Sequence, residues 1–98
     1  MTITKQQNGS TLNLALEGRL DTMTSPELEK ELSASMSGAE SLVLDFGKLE
    51  YISSAGLRVL LSAHKVMAQK GGMKVIRANE IVMEVFEVTG FADILTIE

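Results

Sequence analysis

The segment LVLDFGKLEYISSAGLRVLL, residues 42–61, joins a predicted strand to a predicted helix and decides the fold. Its first part, Leu42 to Phe46, is apolar except for one aspartate, which is typical of a strand buried on both faces in a parallel sheet. From Leu57 onwards the apolar residues recur at a helical spacing. Ser53 and Ser54 therefore lie where a buried strand gives way to a helix.

The two serines allow two interpretations. Ser54 is a natural N-cap or near-cap, and capping is the commonest role of a serine before a helix, so spacing alone favours it. The first turn of a helix also has unpaired backbone N–H groups and the positive end of the helix dipole, which would stabilise a phosphate on Ser54. Gly56 would let the backbone of a partner or a nucleotide approach closely.

Length and composition predict one small domain that spans residues 1–98. The chain has 98 residues, of which 45% are hydrophobic, and this is enough for a single core. Its formal charge of −4 argues against binding to nucleic acid or an anionic membrane. It has no cysteine, its first residues lack an apolar leader, and no apolar run approaches the roughly 20 residues of a membrane span, so we expect a cytoplasmic protein.

The first half of the chain predicts a hairpin followed by a helix. Two candidate strands, Thr2 to Gln6 and Thr11 to Glu17, flank an Asn-Gly pair at residues 8–9, which is the strongest short signal for a hairpin turn. The helix that follows begins either with a capping box from Thr24 to Glu27 or with Ser25 as the cap. Its apolar stripe has a spacing of four and consists of Leu28, Leu32 and Met36.

The second half alternates strands and helices. Met73 to Ala78 is a predicted strand, Asn79 caps a last helix through about Val88, and Ile94 to Ile97 closes as a short strand. The predicted fold class is α/β with the order β-β-α-β-α-β-α-β. Strands joined by single helices lie parallel with right-handed crossovers, which leaves the hairpin strand antiparallel at one side of a mixed sheet.

This topology brings polar side chains towards one edge of the sheet. The strands that end near Glu17 and Phe46 emerge at the edge where the Ser54 helix starts, so Asp21, Asp45 and Ser54 are expected to converge. A turn-forming role for Asp21 and a local backbone contact for Asp45 are equally good interpretations. The single histidine, His64, is predicted to lie on a helix face or in the core rather than to act as a ligand or base.

Three motifs resemble a known family. Residues 51–57, YISSAGL, preceded by LVLDF, resemble the D-S-S-G-L or D-S-T-G-L signature of the STAS domain in bacterial anti-sigma factor antagonists. The segment GRLD at 18–21 is similar to the G-x-L-D segment of that family, and VFEVTGF at 85–91 is similar to its late helix and turn. Aligning glycine with glycine places Ser54 on the phosphorylated serine of the family. Ser53 stands where the family often has Asp, and Ala55 replaces the second hydroxyl.

The resemblance implies a function for the chain. It would be a regulator that binds an anti-sigma factor with serine kinase activity when Ser54 is unmodified, and that is released by phosphorylation and reset by a serine phosphatase. Asp21 would contact the kinase or its nucleotide-bound metal. The resemblance implies no cofactor or metal of the chain's own. The implied partner-binding residues are Asp21, Thr22, Ser53, Ser54, Ala55, Gly56, Leu57 and Arg58.

Other classes of function fit the sequence less well. Ile52 stands where the first glycine of a nucleophile elbow would be, no triad is apparent around His64, and no phosphate-binding loop motif is present, so no enzymatic activity is predicted. The alternative to the sigma-factor switch is an unphosphorylated subunit of a membrane transport complex, because STAS domains also serve as small cytoplasmic partners of transporters. A scaffold in a larger stress-signalling assembly is a third possibility.

Overall fold

Five strands and three α-helices follow one another in the predicted order in a computed structural model that describes residues 1–98. Short 3₁₀ turns follow the first and last helices, at Met36–Gly38 and Phe91–Asp93. None of the helices is both long and apolar enough to cross a membrane. The elements are β1 (Thr2–Asn8), β2 (Thr11–Leu20), α1 (Ser25–Ser35), β3 (Ser41–Ile52), α2 (Ser54–Met67), β4 (Met73–Ile76), α3 (Glu80–Thr89) and β5 (Thr96–Ile97).

The strands form one mixed sheet in the order β1-β2-β3-β4-β5. The β1–β2 pair is antiparallel and the other neighbouring pairs are parallel, which confirms the predicted topology. The hairpin turn lies one residue later than predicted. Asn8 pairs with Thr11 inside the ladder, so the turn residues are Gly9 and Ser10. Gly9 has a φ of 63°, a conformation that glycine adopts without the steric cost of a side chain.

The hydrophobic core covers only one face of the sheet. Alternate residues of β2 and β3 are buried, while their neighbours Val43 and Asp45 are half-exposed, so the prediction of a strand buried on both faces was wrong. The reason is that side chains from the three helices join the inward-facing strand residues in a single cluster on one side. The other side of the sheet, which we call the open face, stays in contact with solvent.

Local sequence signals explain where α3 begins and how it is attached. The Asn79 side chain accepts a hydrogen bond from the Val82 backbone N–H at 2.8 Å, which confirms the predicted N-cap. The amide of Asn79 also donates to the Leu49 carbonyl at 3.0 Å, and this bond ties the start of α3 to β3. Inside the core, the rings of Phe86 and Phe46 lie 6.4 Å apart and tilted, so α3 packs on the same face as the other helices.

Candidate functional site

The candidate site lies at the start of α2, at the edge where the parallel strands end. Ser53 occupies the N-cap position with φ −104° and ψ 177°, and Ser54 is the first helical residue. The Ser53 backbone N–H donates to the Leu20 carbonyl at 2.9 Å, so the start of α2 is attached to the end of β2. Ser54 is therefore next to the N-cap, as expected of a near-cap residue.

The hydroxyls of the two serines have different environments. The Oγ of Ser53 is buried, has no hydrogen-bond partner and makes no capping bond, whereas Ser54 is exposed. The first turn of α2 contains no acidic residue. Its unpaired N–H groups therefore face no competing carboxylate from their own helix. Of the two serines, Ser54 is therefore the one that is exposed to solvent.

The loop after β2 is closed by Asp21. The Oδ1 of Asp21 accepts hydrogen bonds from the backbone N–H groups of Met23 at 3.0 Å and of Thr24 at 3.2 Å, which is the geometry of a turn-forming aspartate. The bond from the Thr24 N–H is the main cause that holds the pKa of Asp21 below its ordinary value of 3.8. The Oδ2 atom lies 3.9 Å from Nε of Arg19. Asp21 is thus an ionised turn-former beside the start of α2.

The structure settles how α1 begins. Thr24 holds the N-cap position, but it makes no capping bond and therefore forms no capping box. Its Oγ1 instead donates to the Arg19 carbonyl at 2.7 Å and accepts from the Asp21 N–H at 2.9 Å. The alternative with Ser25 as the cap was also wrong, because Ser25 is already helical and its hydroxyl donates to the Asp21 carbonyl at 2.6 Å. These bonds fix the loop that carries Thr22, which is exposed.

The next residues of α2 divide between surface and core. Gly56 is buried, and a Cβ there would lie 2.8 Å from Cγ of Leu20 and 2.9 Å from Cγ1 of Ile52. The expectation that Gly56 leaves room for a partner was therefore wrong, since the close approach is to the protein's own sheet. Leu57 is also buried, at 5% exposure, and joins the core.

Ala55 and Arg58 stay on the accessible side of the helix. Ala55 is half-buried and Arg58 is exposed. Arg58 is four residues after Ser54, so the two side chains share one face of α2. The surface that we call the Ser54 surface is formed by the exposed and half-buried residues Asp21, Thr22, Met23, Ser53, Ser54, Ala55 and Arg58.

Met23 was not predicted as a site residue. It is 83% exposed in the loop beside Asp21, whereas the other methionines are buried or packed against the core. An exposed, flexible thioether side chain is well suited to an adaptable binding surface. The signal in the sequence is that Met23 lies between two threonines in a polar loop, where no apolar periodicity predicts a buried residue.

Arg19 and Tyr51 form a further unpredicted feature at the edge of the sheet where α2 begins. The guanidinium of Arg19 lies 4.7 Å from the centre of the Tyr51 ring, in a cation–π contact. Arg19 and Tyr51 are direct neighbours in the β2–β3 ladder, so their side chains share the open face. Only the strand register reveals this pairing, because the two residues are far apart in sequence.

Asp45 does not reach the Ser54 surface, so that part of the predicted convergence was wrong. The strand β3 continues to Ile52, which places Asp45 on the order of 20 Å before the strand's end. There Asp45 forms a bidentate ion pair with Arg77 across the open face, with 3.0 Å between Nε and Oδ1. The hydrogen bond from Arg77 is the main cause that lowers the pKa of Asp45. A cavity of about 470 Å³ is lined by this pair and not by either serine.

His64 lies within α2 and is half-buried, as predicted for a residue of the helix face. Its Nδ1 is buried without a hydrogen-bond partner. Because α2 starts at Ser54 and the histidine comes almost three turns later, His64 is distant from the serines along the helix axis. It contributes nothing to the Ser54 surface.

Comparison with known proteins identifies the family. Residues 3–96 match the family described as "Mlab, STAS domain". The chain is 37% identical to BtrV of Bordetella bronchiseptica, a protein assigned to the anti-sigma factor antagonists, over 99% of this chain and 85% of the relative. It is 26% identical to the anti-sigma-B factor antagonist of Bacillus subtilis, over 94% of this chain and 85% of the relative.

Solved structures share the fold. The crystal structure of an anti-sigma factor antagonist from Mycobacterium paratuberculosis superimposes with a TM-score of 0.89 at 21% identity, over 98% of this chain and 83% of that one. The unphosphorylated form of the anti-sigma factor antagonist SpoIIAA gives a TM-score of 0.84 at 16% identity, over 99% and 88%. The phosphorylated form of the Bacillus protein SpoIIAA gives 0.76 at 15% identity, over 99% and 91%. From the family match and the relatives together, the chain belongs to the STAS domain family of anti-sigma factor antagonists.

Proposed function

We propose that this protein binds an anti-sigma factor with serine kinase activity through the Ser54 surface, and that phosphorylation of Ser54 ends the complex. A serine phosphatase would restore the binding form. The observation that carries the proposal is the contrast between the two serines: Ser54 is exposed at the first position of α2, while the hydroxyl of Ser53 is buried. A kinase therefore finds one accessible acceptor at this turn.

The relatives support this proposed function. The relatives from Bordetella bronchiseptica and Bacillus subtilis are anti-sigma factor antagonists, and SpoIIAA, which shares the fold, has a phosphorylated and an unphosphorylated form. In this proposal the chain is the substrate of the kinase and not itself a catalyst. It acts in the cytoplasm, because that is where sigma factors act on transcription.

Phosphorylation would leave the fold in place. A phosphate adds a charge of about −1.5 to −2, and the first turn of a helix stabilises negative charge. Arg58, one turn further along the same face, is exposed and offers a cation to that phosphate. The loss of binding must therefore arise at the partner, where the added charge meets a surface shaped for a neutral hydroxyl and loses its hydration.

Asp21 and Met23 would complete the contact. The carboxylate of Asp21 is ionised, and its Oδ2 takes no part in the turn-forming bonds and lies 3.9 Å from Nε of exposed Arg19, so in this proposal it also contacts a cationic or metal-bound group of the kinase. Met23 offers apolar area beside it, at 83% exposure. A neutral hydroxyl, an anion and an apolar side chain thus lie within one small, exposed surface.

The test is to find which residue takes the phosphate. The purified chain is incubated with Mg-ATP and a kinase-type anti-sigma factor from the same organism, and peptide fragments are sequenced by mass spectrometry. We expect phosphate on Ser54 alone and none in Ser54→Ala. Phosphate mainly on Ser53 would overturn the assignment. No phosphate on either serine, with a kinase that modifies another antagonist, would favour the transport-subunit or scaffold alternative.

A further inference from the structure

The exposed side of α3 carries an apolar stripe next to an acidic row. The residues of each set are spaced at i, i+4 and i+7, so each set forms a line about two turns long on one face of the helix. We call the two lines together the α3 ridge. The apolar line is Ile81, Val85 and Val88, and the acidic line is Glu80, Glu84 and Glu87.

The two ends of the apolar line are not needed to fill the core. The fully buried residues of α3 are Val82 and Phe86, and Val85 is half-buried at the border of the core. Ile81 is 58% exposed and Val88 is 77% exposed, on the side of the helix that faces solvent. Large apolar side chains on a surface are normal when scattered, but three in register along a helix form a continuous strip of the kind that binds another element.

None of the three glutamates of the acidic line forms an ion pair within the chain. Helix α3 contains no lysine or arginine, and the ion pairs of the structure join Arg19 to Asp21, Lys74 to Glu98 and Arg77 to Asp45. Like charges at i, i+4 destabilise a helix. Binding of positive charge beside the apolar line would remove this repulsion.

We propose that the α3 ridge binds an amphipathic helix of a protein partner whose apolar stripe is bordered by lysine or arginine. Such a helix would bury Ile81, Val85 and Val88 and place its cations against the three glutamates. The charge pattern favours this partner over a second copy of the chain and over a membrane. A second copy of the chain packed α3 to α3 would bring two acidic lines together, and an anionic membrane would repel them. The ridge shares no residue with the Ser54 surface, so it provides a second binding site.

The test uses a synthetic amphipathic peptide of about 18 residues, five helical turns, built from leucine and lysine with the leucines at i, i+3, i+4 and i+7. A peptide of the same composition with scrambled order is the control. Amide shifts of the isotopically labelled full chain are followed by NMR during titration. We expect saturable shifts centred on residues 80–89 with the ordered peptide and at least about tenfold weaker binding with the scrambled one.

Matched variants locate the contact. The double variant Ile81→Ser, Val88→Ser should bind the ordered peptide at least about tenfold more weakly, while Val66→Ser, an exposed apolar residue of α2, should bind like the parent chain. Ser54→Asp should also bind like the parent, which keeps this result independent of the phosphorylation proposal. Equal binding of both peptides, or shifts centred outside α3, would overturn the inference. Concentration-dependent dimers abolished by the double variant would overturn it in favour of a second copy.

Discussion

The backbone N–H of Ser53 donates to the carbonyl of Leu20, with 2.9 Å between the two atoms. This bond joins the last residue of β2 to the N-cap of α2, and it brings the loop of Asp21 beside Ser54. The two parts of the Ser54 surface therefore come from distant parts of the sequence and are held by the sheet. In the proposed mechanism, phosphorylation of Ser54 therefore alters binding without any rearrangement of the fold.

Charge at position 54 should weaken the complex with the kinase-type anti-sigma factor. We expect Ser54→Asp to bind at least about tenfold more weakly, or roughly 1.4 kcal/mol, because the added carboxylate loses hydration against the partner. Isothermal titration calorimetry measures the two dissociation constants. Ser54→Ala, which adds no charge, is the control and should bind like the parent chain. Equal affinity of Ser54→Asp and the parent chain would remove Ser54 from the interface.

An aspartate at position 53 should speed the modification of Ser54. A carboxylate can accept a hydrogen bond and orient the neighbouring hydroxyl, whereas the Oγ of Ser53 is buried without a partner. The initial rate of phosphate transfer from labelled ATP should be higher for Ser53→Asp than for the parent chain. Ser53→Ala is the control and should not exceed the parent rate. A slower Ser53→Asp variant would show that the buried position does not accept a charge.

Met23 should contribute to binding and not to stability. It is 83% exposed, so Met23→Ser should change the free energy of unfolding by less than about 0.5 kcal/mol. The same change removes apolar area from the Ser54 surface, and we expect a several-fold weaker complex in the same calorimetric titration. Val66→Ser is the control, because its side chain is exposed and lies outside both the Ser54 surface and the α3 ridge. A loss of affinity in both variants would point to a general effect of surface hydrophobicity.

Gly56 should be required for stability. In Gly56→Ala the new methyl group meets Leu20 and Ile52 at distances that force both side chains to move, and overpacking of this kind costs about 1–3 kcal/mol. Urea denaturation measures the change in the free energy of unfolding. Gly38→Ala is the matched control, since nothing lies within 4 Å of its added methyl group. A Gly56→Ala variant as stable as Gly38→Ala would mean that Leu20 and Ile52 can move away from the added methyl group at little cost in free energy.

The ion pair of Asp45 with Arg77 should give a pH-dependent contribution to stability. Because the folded-state pKa of Asp45 lies below 3.8, the contribution is complete well above that pH and is lost as the pH falls towards the folded-state pKa. We expect Asp45→Asn to lower the unfolding free energy at pH 7 by up to about 1 kcal/mol, since Arg77 is largely exposed and the pair is screened.

The same pair of proteins tests the sign of this effect. Urea unfolding of the parent and Asp45→Asn at pH 7 and at about pH 3 should give a difference that shrinks in acid. Asp21 titrates in both proteins, so its own lowered pKa cancels in the comparison. Glu29→Gln, an exposed helix residue outside every ion pair, is the control and should change little at either pH. A difference that grows in acid would contradict the assignment.

The order and pairing of the strands could be predicted because the signals for them are local. Alternation, the glycine turn and the Asn79 cap each lie within a few residues, and a crossover helix dictates parallel neighbours. The position at which β3 ends could not be predicted from local signals. Gly47 and Lys48 look like the end of a strand, but pairing with β2 continues to Ile52 through irregular positions. Gly18 helps to absorb the irregularity with a φ of 107°, which few other residues could adopt.

The candidate site was predictable in part for the same physical reason. The turn at Ser54 is a local motif, so its place at a helix start follows from the sequence alone. The inward direction of Gly56 depends on how α2 lies against Leu20 and Ile52, and the position of Asp45 depends on the length of β3. Both depend on tertiary packing, which the spacing of apolar residues in the sequence does not reveal.

The one-sided core has a practical consequence for following these interactions in solution. Gln6 lies on the open face opposite Asn13 and is exposed, so its side chain contacts neither the helices nor either proposed binding site. Since the chain contains no cysteine, Gln6→Cys would provide a unique thiol there. A fluorophore attached to that thiol would report rotational tumbling as partners bind, and the helical layer would remain unlabelled.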